Sequence, residues 1–467
     1  MTTINDLAAR IVAHHSRRAV PVRSSAAIAY DPDQAFGIAP IRVVSEQRVQ
    51  ALAFGTVGNV PQVIAIWNPL SRESGGLDAF AAALDVYVSS CLDEETLPRI
   101  WLPHRAALDM VELLGHRYRT NRNASPLLQR MGAICLGLVN ESMFAGQQVV
   151  VIASELLKQH VATGQSPVED SHLGALLAWV NPPSGVDPRF EAERRALIPA
   201  AAMLDRPVDD EVERLRSVAK LGGRRGAAAQ RRIEELLVGA ATDEWTLLNE
   251  ARDAFWHLGL TPVPDVGSLL SESYERIKYA LPRDISRPAN PDTLARLLGE
   301  REYALDLEED VLFRGDTNAR EQARSDGRVI RSEVVAIDQP SPSRHPCTLT
   351  LRVVQPVMRV RVGTGLKTIN NKLEGKVLSI REDPVGSGKL LEVRLNKGVQ
   401  GSVCPGIGAH VDLLDTVTVD LRFRRREVLD VMKAQHVPLV YGDALPAPSS
   451  RSIASPDLLA VSVNLRR

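Results

Sequence analysis

The chain has 467 residues, of which 44% are hydrophobic, and its formal net charge is −1. This length and apolar content indicate a globular protein of roughly two to four domains. The near-zero charge excludes indiscriminate coating of nucleic acid, because bulk attraction to a polyanion requires a large positive charge. Any contact with a polyanion must therefore come from local patches.

The cysteines and the apolar runs indicate a cytoplasmic protein that does not contact a membrane. Cys91, Cys135, Cys347 and Cys404 lie far apart and form no Cys-x-x-Cys pair, which argues against a zinc ribbon and a disulfide-stapled scaffold. No apolar run approaches the ~20 residues that span a bilayer, and the first residues lack the apolar core of a signal peptide. Arginine greatly outnumbers lysine, which together with abundant alanine indicates a GC-rich bacterial genome.

Residues 1–182 are predicted to form an α/β domain. A short opening helix, Ile4 to Ser16, precedes three strands, AAIAY, RVQALAFG and PQVIAIW. Helices then alternate with the short strands RIWLP and QQVVVIAS. This order is compatible with a ribonuclease-H-like sheet, and other α/β arrangements remain open. The proline-rich stretch Asn181 to Pro188 is the predicted boundary, since proline disfavours helix at the preceding residue.

The rest of the chain is predicted to contain three further parts, so the fold class is multi-domain α+β. Residues 183–325 show helical periodicity throughout. Residues 326–425 form six alternating runs split by Gly, Pro and Asn-Asn turns, which are VIRSEVVAID, CTLTLRVV, MRVRVG, EGKVLSIRED, KLLEVRLNKGVQG and VDLLDTVTVDLRF. They predict a small all-β barrel or sandwich. Residues 426–467 hold a last helix, a linker and a terminal strand.

The strongest chemical signal is a basic window from Arg352 to Lys397, which holds ten basic residues and four acidic ones. Five of the chain's nine lysines lie in this window: Lys367, Lys372, Lys376, Lys389 and Lys397. A strand-rich module with a positive face would bind polyanions. The alternative is a β module that docks on an acidic domain or an acidic partner protein.

A second basic window runs from Arg214 to Arg232 and contains no acidic residue. Its candidates for phosphate contact are Arg224, Arg225, Arg231 and Arg232. The run Gly-Gly-Arg-Arg-Gly joins two predicted helices, so free N–H groups at the start of the second helix would meet a phosphate beside paired guanidiniums. Alternatively, these arginines neutralise the acidic residues that flank the window.

The β module lacks the aromatic residues on which single-strand-binding modules stack bases. No Phe, Tyr or Trp lies between Phe313 and Phe423. Stacking is worth ~1–3 kcal/mol per base in such modules, so an oligonucleotide-binding barrel of the stacking type is not expected. The sequence therefore favours contact with the phosphate backbone of a duplex or of RNA.

No motif identifies a catalytic residue, a metal ligand or a cofactor site. Gly386-Ser387-Gly388-Lys389 resembles the end of a phosphate loop, but it lies between two predicted strands, so we predict a hairpin turn. A magnesium-dependent nuclease would need converging carboxylates. The acids available for it in the first domain are Asp31, Asp85, Glu155 and Asp170. The strand RIWLP, however, is followed by His104-Arg105 where such an enzyme places a carboxylate.

These observations predict a nucleic-acid-binding accessory subunit of a bacterial repair or defence assembly, rather than an enzyme. The subunit would contact the phosphate backbone through its basic patches and would bind a protein partner. Two alternatives stay open. One is a magnesium-dependent nuclease with a ribonuclease-H-like first domain, and the other is a structural subunit whose basic faces bind an acidic protein.

Overall fold

The computed structural model describes residues 4–29, 34–42, 48–68, 76–198, 203–280, 291–339, 347–370, 372–384, 386, 388–398 and 404–415. Within these ranges the chain is a mixed α+β protein with twelve α-helices, several sheets and a six-stranded ring of antiparallel strands. This confirms the predicted α+β class and the predicted C-terminal all-β module. Met1–Ser286 and Ala304–Thr418 belong to one compact unit, whereas the helical residues 291–303 belong to a second.

A five-stranded sheet is the centre of the N-terminal part. The elements there are α1 (Ile4–Ser16), β1 (Val20–Pro21), β2 (Ser25–Ala26), β3 (Phe36–Arg42), β4 (Val49–Thr56), β5 (Gln62–Ala65), α2 (Leu77–Asp93), β6 (Ile100–Leu102), α3 (Arg105–Tyr118), α4 (Pro126–Glu141), β7 (Val150–Ile152), α5 (Ala153–His160), β8 (Val161–Ala162) and α6 (Leu173–Val180). The strand order is β5-β4-β3-β6-β7. β4 is antiparallel to both of its neighbours, and β6 and β7 continue parallel to β3. Helices α2, α3 and α4 bury one apolar core with this sheet.

The first strand of this sheet is β3, so the prediction that AAIAY is a sheet strand was wrong. Of the described residues of that segment, 26–29, only Ala26 lies in a strand, the two-residue β2. The sequence signal of β3 is masked by Pro40, because proline usually argues against a central strand. The ladder between β3 and β6 includes only Phe36 and Gly37 of β3. Pro40 lies outside that ladder, so its missing N–H group removes no hydrogen bond to β6.

The helical middle contributes directly to the core of the sheet. Its elements are α7 (Pro188–Arg195), α8 (Arg206–Ala219), α9 (Gly223–His257), β9 (Thr261–Pro262), α10 (Val266–Ala280), α11 (Pro291–Gly315) and α12 (Thr317–Ser325). The 35-residue α9 runs unbroken through Gly239, since a single glycine in a helix costs only about 1 kcal/mol. Trp245 and Leu248 of α9 fill the space that Gly37 leaves on β3.

The C-terminal module is a closed barrel with its own apolar core. Its strands are β10 (Val329–Asp338), β11 (Cys347–Val353), β12 (Gly365–Thr368), β13 (Glu374–Glu382), β14 (Lys389–Lys397) and β15 (His410–Asp415). The ring order is β10-β11-β14-β13-β12-β15. The predicted strand MRVRVG is wrong, because the third strand begins after it, at Gly365. Gly363 has a φ of 92°, which ends the alternating run before it can pair.

A buried carboxylate joins the N-terminal segment to the start of α12. Asp316 accepts hydrogen bonds from the backbone N–H groups of Ser24 and Ser25 at 2.7 Å each, and from that of Ala319 at 2.7 Å. Nearby, β2 pairs with β9. The predicted C-terminal helix and strand, in residues 426–467, lie outside the described residues. Within the described ranges, no helix combines the length and the apolarity needed to cross a bilayer.

Candidate nucleic-acid interface

The barrel docks on the rest of the protein through one half of its ring, formed by β10, β15 and β12. Lys367 Nζ on β12 lies 2.8 Å from Asp310 Oδ1 on α11. Arg324 on α12 pairs with Asp412 on β15 at 3.0 Å. The other half of the ring, β11, β14 and β13, carries most of the predicted lysines. We call β11, β14 and β13 the free arc.

Lys376 and Arg394 lie opposite each other on the free arc. They are Cα partners in the antiparallel ladder of β13 and β14, and both side chains are exposed on the outside of the barrel. Neither forms an ion pair with another described residue. Two like charges directly opposite each other destabilise a sheet, so this arrangement opposes folding unless an anion is present.

The other charged pairs in the described barrel ladders all combine opposite signs. These are Arg331 with Asp412, Glu333 with Arg352, Lys367 with Glu374, Lys397 with Glu374, and Lys389 with Glu382. The barrel thus follows the expected rule of charge complementarity across strands. Lys376 with Arg394 is the exception, which marks this position as a candidate anion site.

The remaining predicted lysines differ in their surroundings. Lys389 and Lys397 are exposed at the two ends of β14, each opposite a glutamate. Lys372 is exposed in the turn before β13, where its backbone N–H donates to Asn370 Oδ1 at 3.2 Å. Lys367 differs most, because its side chain is only 14% exposed and pairs with Asp310. Of the five lysines, Lys376 therefore has the most favourable position for a phosphate, and Lys367 has a docking role.

The segment that resembles a phosphate loop joins β13 to β14 in a turn. The backbone N–H of Asp383 donates to the carbonyl of Gly388 at 2.8 Å, and β13 is antiparallel to β14. Lys389 is thus the first residue of a strand and not of a helix. A phosphate at this turn would therefore not lie at the N-terminus of a helix.

The second basic window begins in the second half of α8 and ends in the exposed first turns of α9. Gly222 and Gly223 have φ values of 71° and 67°, and no side chain caps the helix. Arg224 and Arg225 are exposed and have no ion-pair partner among the described residues. The first N–H groups of α9 have no acceptor within the helix, which leaves them available to an anion.

The two later arginines of this window behave differently from each other. Arg232 lies 3.3 Å from Glu235 and 3.5 Å from Glu211. Its pKa is raised, mainly by the side-chain hydrogen bond to Glu235. Arg232 therefore neutralises neighbouring acids, which is the alternative that the sequence left open. Arg231 is exposed, and none of the described carboxylates pairs with it.

The three described acids considered for a nuclease do not form a metal-binding group. Asp85 pairs with Arg130 at 3.2 Å, and the buried Asp170 accepts from Arg10 at 2.6 Å. Glu155 is exposed at the start of α5, and Asp31 lies outside the described residues. Across the part of the chain that the structure describes, no three His, Cys, Asp or Glu side chains form a group that could hold a metal ion.

Sequence reasoning missed Arg394 as a site residue. It lies in the basic window, but only the register of β13 against β14 brings it opposite Lys376. A comparison of the chain with protein-family models, with curated proteins and with solved structures finds no match.

Proposed function

We propose that this protein binds nucleic acid through the phosphate backbone, with Lys376 and Arg394 on the free arc as its central contact. The observation that carries the proposal is the like-charge pair in a barrel whose other charged cross-strand pairs are complementary. A phosphate between the two side chains would remove their repulsion. The guanidinium supplies a bidentate fork and the ammonium supplies a second charge.

The composition of the barrel supports readout of the backbone rather than of the bases. No aromatic residue lies between Phe313 and Phe423, so the barrel offers no ring on which a base could stack. Contacts from Lys and Arg to phosphates carry affinity but no sequence information. We therefore expect binding that is insensitive to sequence and sensitive to salt.

The start of α9 supports a second contact with an anion. Exposed Arg224 and Arg225 adjoin free helix N–H groups, and this combination suits a phosphate with several acceptor oxygens. A carboxylate of an acidic protein also presents two anionic oxygens, so these donors alone do not separate the two ligands. Acidic polypeptide is the competing ligand that the experiment below must include.

We also propose that the N-terminal sheet is ribonuclease-H-like and that the protein acts as an accessory subunit in a bacterial repair or defence assembly. Three consecutive strands with an antiparallel middle strand, followed by two parallel strands beside the first, support this assignment of the sheet. The exposed apolar side chains of Leu7, Ile11 and Val12 on α1 support a protein partner.

Fluorescence anisotropy titrations test the central proposal. The ligands are labelled duplex DNA, single-stranded DNA, duplex RNA and polyglutamate, each measured at several salt concentrations. The double variant Lys376→Gln/Arg394→Gln should weaken binding to duplexes of any sequence and reduce the salt slope by ~2 units. Arg117→Gln/Arg122→Gln, which removes two exposed charges from α3 and the loop after it, is the matched control. Unchanged duplex affinity in the first variant, or tighter binding to polyglutamate than to duplexes, would overturn the proposal.

A further inference from the structure

A cavity of about 220 Å³ lies beside β7, the edge strand of the N-terminal sheet. Its polar lining includes two arginines, two glutamates and a histidine, which are Arg23, Arg105, Glu155, Glu308 and His160. At ~30 Å³ for each water, the volume equals roughly seven waters, so it has room for a small metabolite. None of these residues belongs to the proposed nucleic-acid interface.

The sheet edge that borders this cavity is already satisfied by Gln147. The side-chain Oε1 of Gln147 accepts from the backbone N–H groups of Val149 and Val150 at 2.8 Å each. Its Nε2 donates to the carbonyl of Val150 at 2.5 Å. The side-chain amide of Gln147 thus makes the hydrogen bonds that a neighbouring strand would otherwise make to this edge. A ligand in the cavity must therefore be recognised by side chains rather than by strand addition.

His160 supplies an acceptor that has no donor. Its side chain is buried, with the residue 1% exposed, and its Nδ1–H donates to the carbonyl of Leu156 at 2.7 Å. Nε2 then carries a lone pair, and no described residue donates to it. Burial lowers the pKa of His160 to about 4, so the ring is neutral at neutral pH. A buried acceptor without a partner costs free energy, which a ligand N–H or O–H would recover.

Arg23 supplies donors that have no acceptor. No described residue accepts a hydrogen bond from its guanidinium or lies within ion-pair distance of it. Asp316 is nearby, but three backbone N–H groups and a hydroxyl already occupy its oxygens. Burial lowers the pKa of Arg23, with Glu308 and Asp316 opposing that effect. A carboxylate bound in the cavity would satisfy these donors.

Glu308 supplies the opposite charge on the α11 side of the cavity. Burial raises its pKa, against the opposing effect of Arg23. A cation beside it would favour its ionised form. With Arg105 and Glu155 also in the lining, positive and negative charges are balanced. The cavity therefore disfavours a phosphate dianion and favours a ligand that carries both signs.

We propose that this cavity binds a small zwitterion of the α-amino-acid type. The ligand carboxylate lies against Arg23, and its ammonium lies against Glu308 and donates to Nε2 of His160. The site uses four separate segments of the chain, so binding also fastens the N-terminal segment to the sheet and to α11. This inference does not depend on the nucleic-acid proposal.

Isothermal titration calorimetry and thermal melting of the full chain test this site. The probes are L-serine and L-glutamine, with propionate and ethanolamine as ligands that each carry half of the zwitterion. At least one of the amino acids should bind and raise the melting temperature, whereas neither half should do so at the same concentration. Binding of both halves as tightly as the amino acids, or no heat and no shift with either amino acid, overturns the proposal.

Two substitutions and one spectroscopic signal locate the binding. Glu308→Gln and Arg23→Gln should each weaken amino-acid binding by roughly tenfold to a hundredfold, while the matched control Arg18→Gln, an exposed arginine outside the cavity, leaves it unchanged. If either cavity variant fails to fold, the test is the nitrogen chemical shift of His160 Nε2, measured in the unmodified protein as the amino acid is added. A shift on titration supports the site, and no shift at saturation overturns it.

Discussion

Lys376 on β13 faces Arg394 on β14 across an antiparallel ladder, and both side chains are exposed. The position is unfavourable for the isolated fold, because like charges directly opposite one another repel. A surface position that opposes stability while its neighbours follow the rule is typical of a site kept for binding. At this position, stability of the fold and binding of an anion therefore favour different residues.

The single substitution Lys376→Glu should stabilise the protein and weaken nucleic-acid binding at the same time. It converts the like-charge pair into a complementary one, worth ~0.2–1 kcal/mol in the free energy of unfolding. Urea denaturation and anisotropy titration measure the two effects. The control is Arg381→Glu, which should destabilise the barrel because Arg381 pairs with Glu392 at 3.0 Å. Loss of both stability and binding in Lys376→Glu would contradict the prediction.

Arg224→Ala/Arg225→Ala should reduce nucleic-acid affinity without destabilising the protein. Basic residues at a helix N-terminus interact unfavourably with the helix dipole, so their removal should change the free energy of unfolding by only a few tenths of a kcal/mol, in the favourable direction. Arg232→Ala is the matched control, because Arg232 has acidic partners in Glu211 and Glu235. Equal loss of affinity in the control would argue against a specific contact at the start of α9.

Stability should fall between about pH 6.5 and pH 4 through His160. The pKa of a histidine in an unfolded chain is about 6.5, and burial lowers that of His160 to about 4 in the folded protein. The unfolded state therefore binds more protons in this range, and stability decreases as pH falls. The full effect is about 3 kcal/mol. Asp316 and Glu308 lie near His160 and also change protonation with pH. The measurement is therefore the difference in the free energy of unfolding between the native chain and His160→Gln, obtained by chemical denaturation across this pH range. Parallel pH profiles would refute the assignment.

Asp316→Ala should be strongly destabilising. The substitution leaves the N–H groups of Ser24, Ser25 and Ala319 without their acceptor, which costs about 3 kcal/mol or more in a buried site. Burial would raise the pKa of Asp316, but these N–H groups outweigh it and the pKa is lowered. Its contribution to stability is therefore lost as pH falls through the folded pKa. Thermal melting compares Asp316→Ala with the native chain. Asp326→Asn, just after the end of α12, is the control.

Strand alternation predicted most of the barrel, but register decided which charges meet. The runs that became β10, β11, β13 and β14 alternate clearly in sequence, whereas MRVRVG alternates equally well and stays unpaired because the chain turns at Gly363. Irregularities between Glu374 and Gly375, and between Val377 and Ser379, shift the pairing of β13 with β14. Such shifts depend on the three-dimensional fit of the barrel, so the facing of Lys376 and Arg394 could not be predicted.

The amino-acid cavity was equally beyond sequence reasoning. Its lining comes from the N-terminal segment, the start of α3, the stretch from the loop before β7 through α5, and α11. In the sequence, His160 has no neighbouring His or Cys at metal-ligand spacing that would single it out. Its burial and the lack of a described donor to its Nε2 become visible only in the structure.

The bonds from Asp316 to Ser24 and Ser25 set an order of events during synthesis. The ribosome releases the N-terminal segment long before Asp316 exists, so β2 cannot acquire its final partners until α12 has emerged. The strands of the barrel follow immediately after α12. The last bonds of the N-terminal segment and the barrel therefore form in adjacent late steps. A nascent chain stalled before residue 316 would lack the acceptor for Ser24 and Ser25, although β1 and β2 could already pair with β8 and β9.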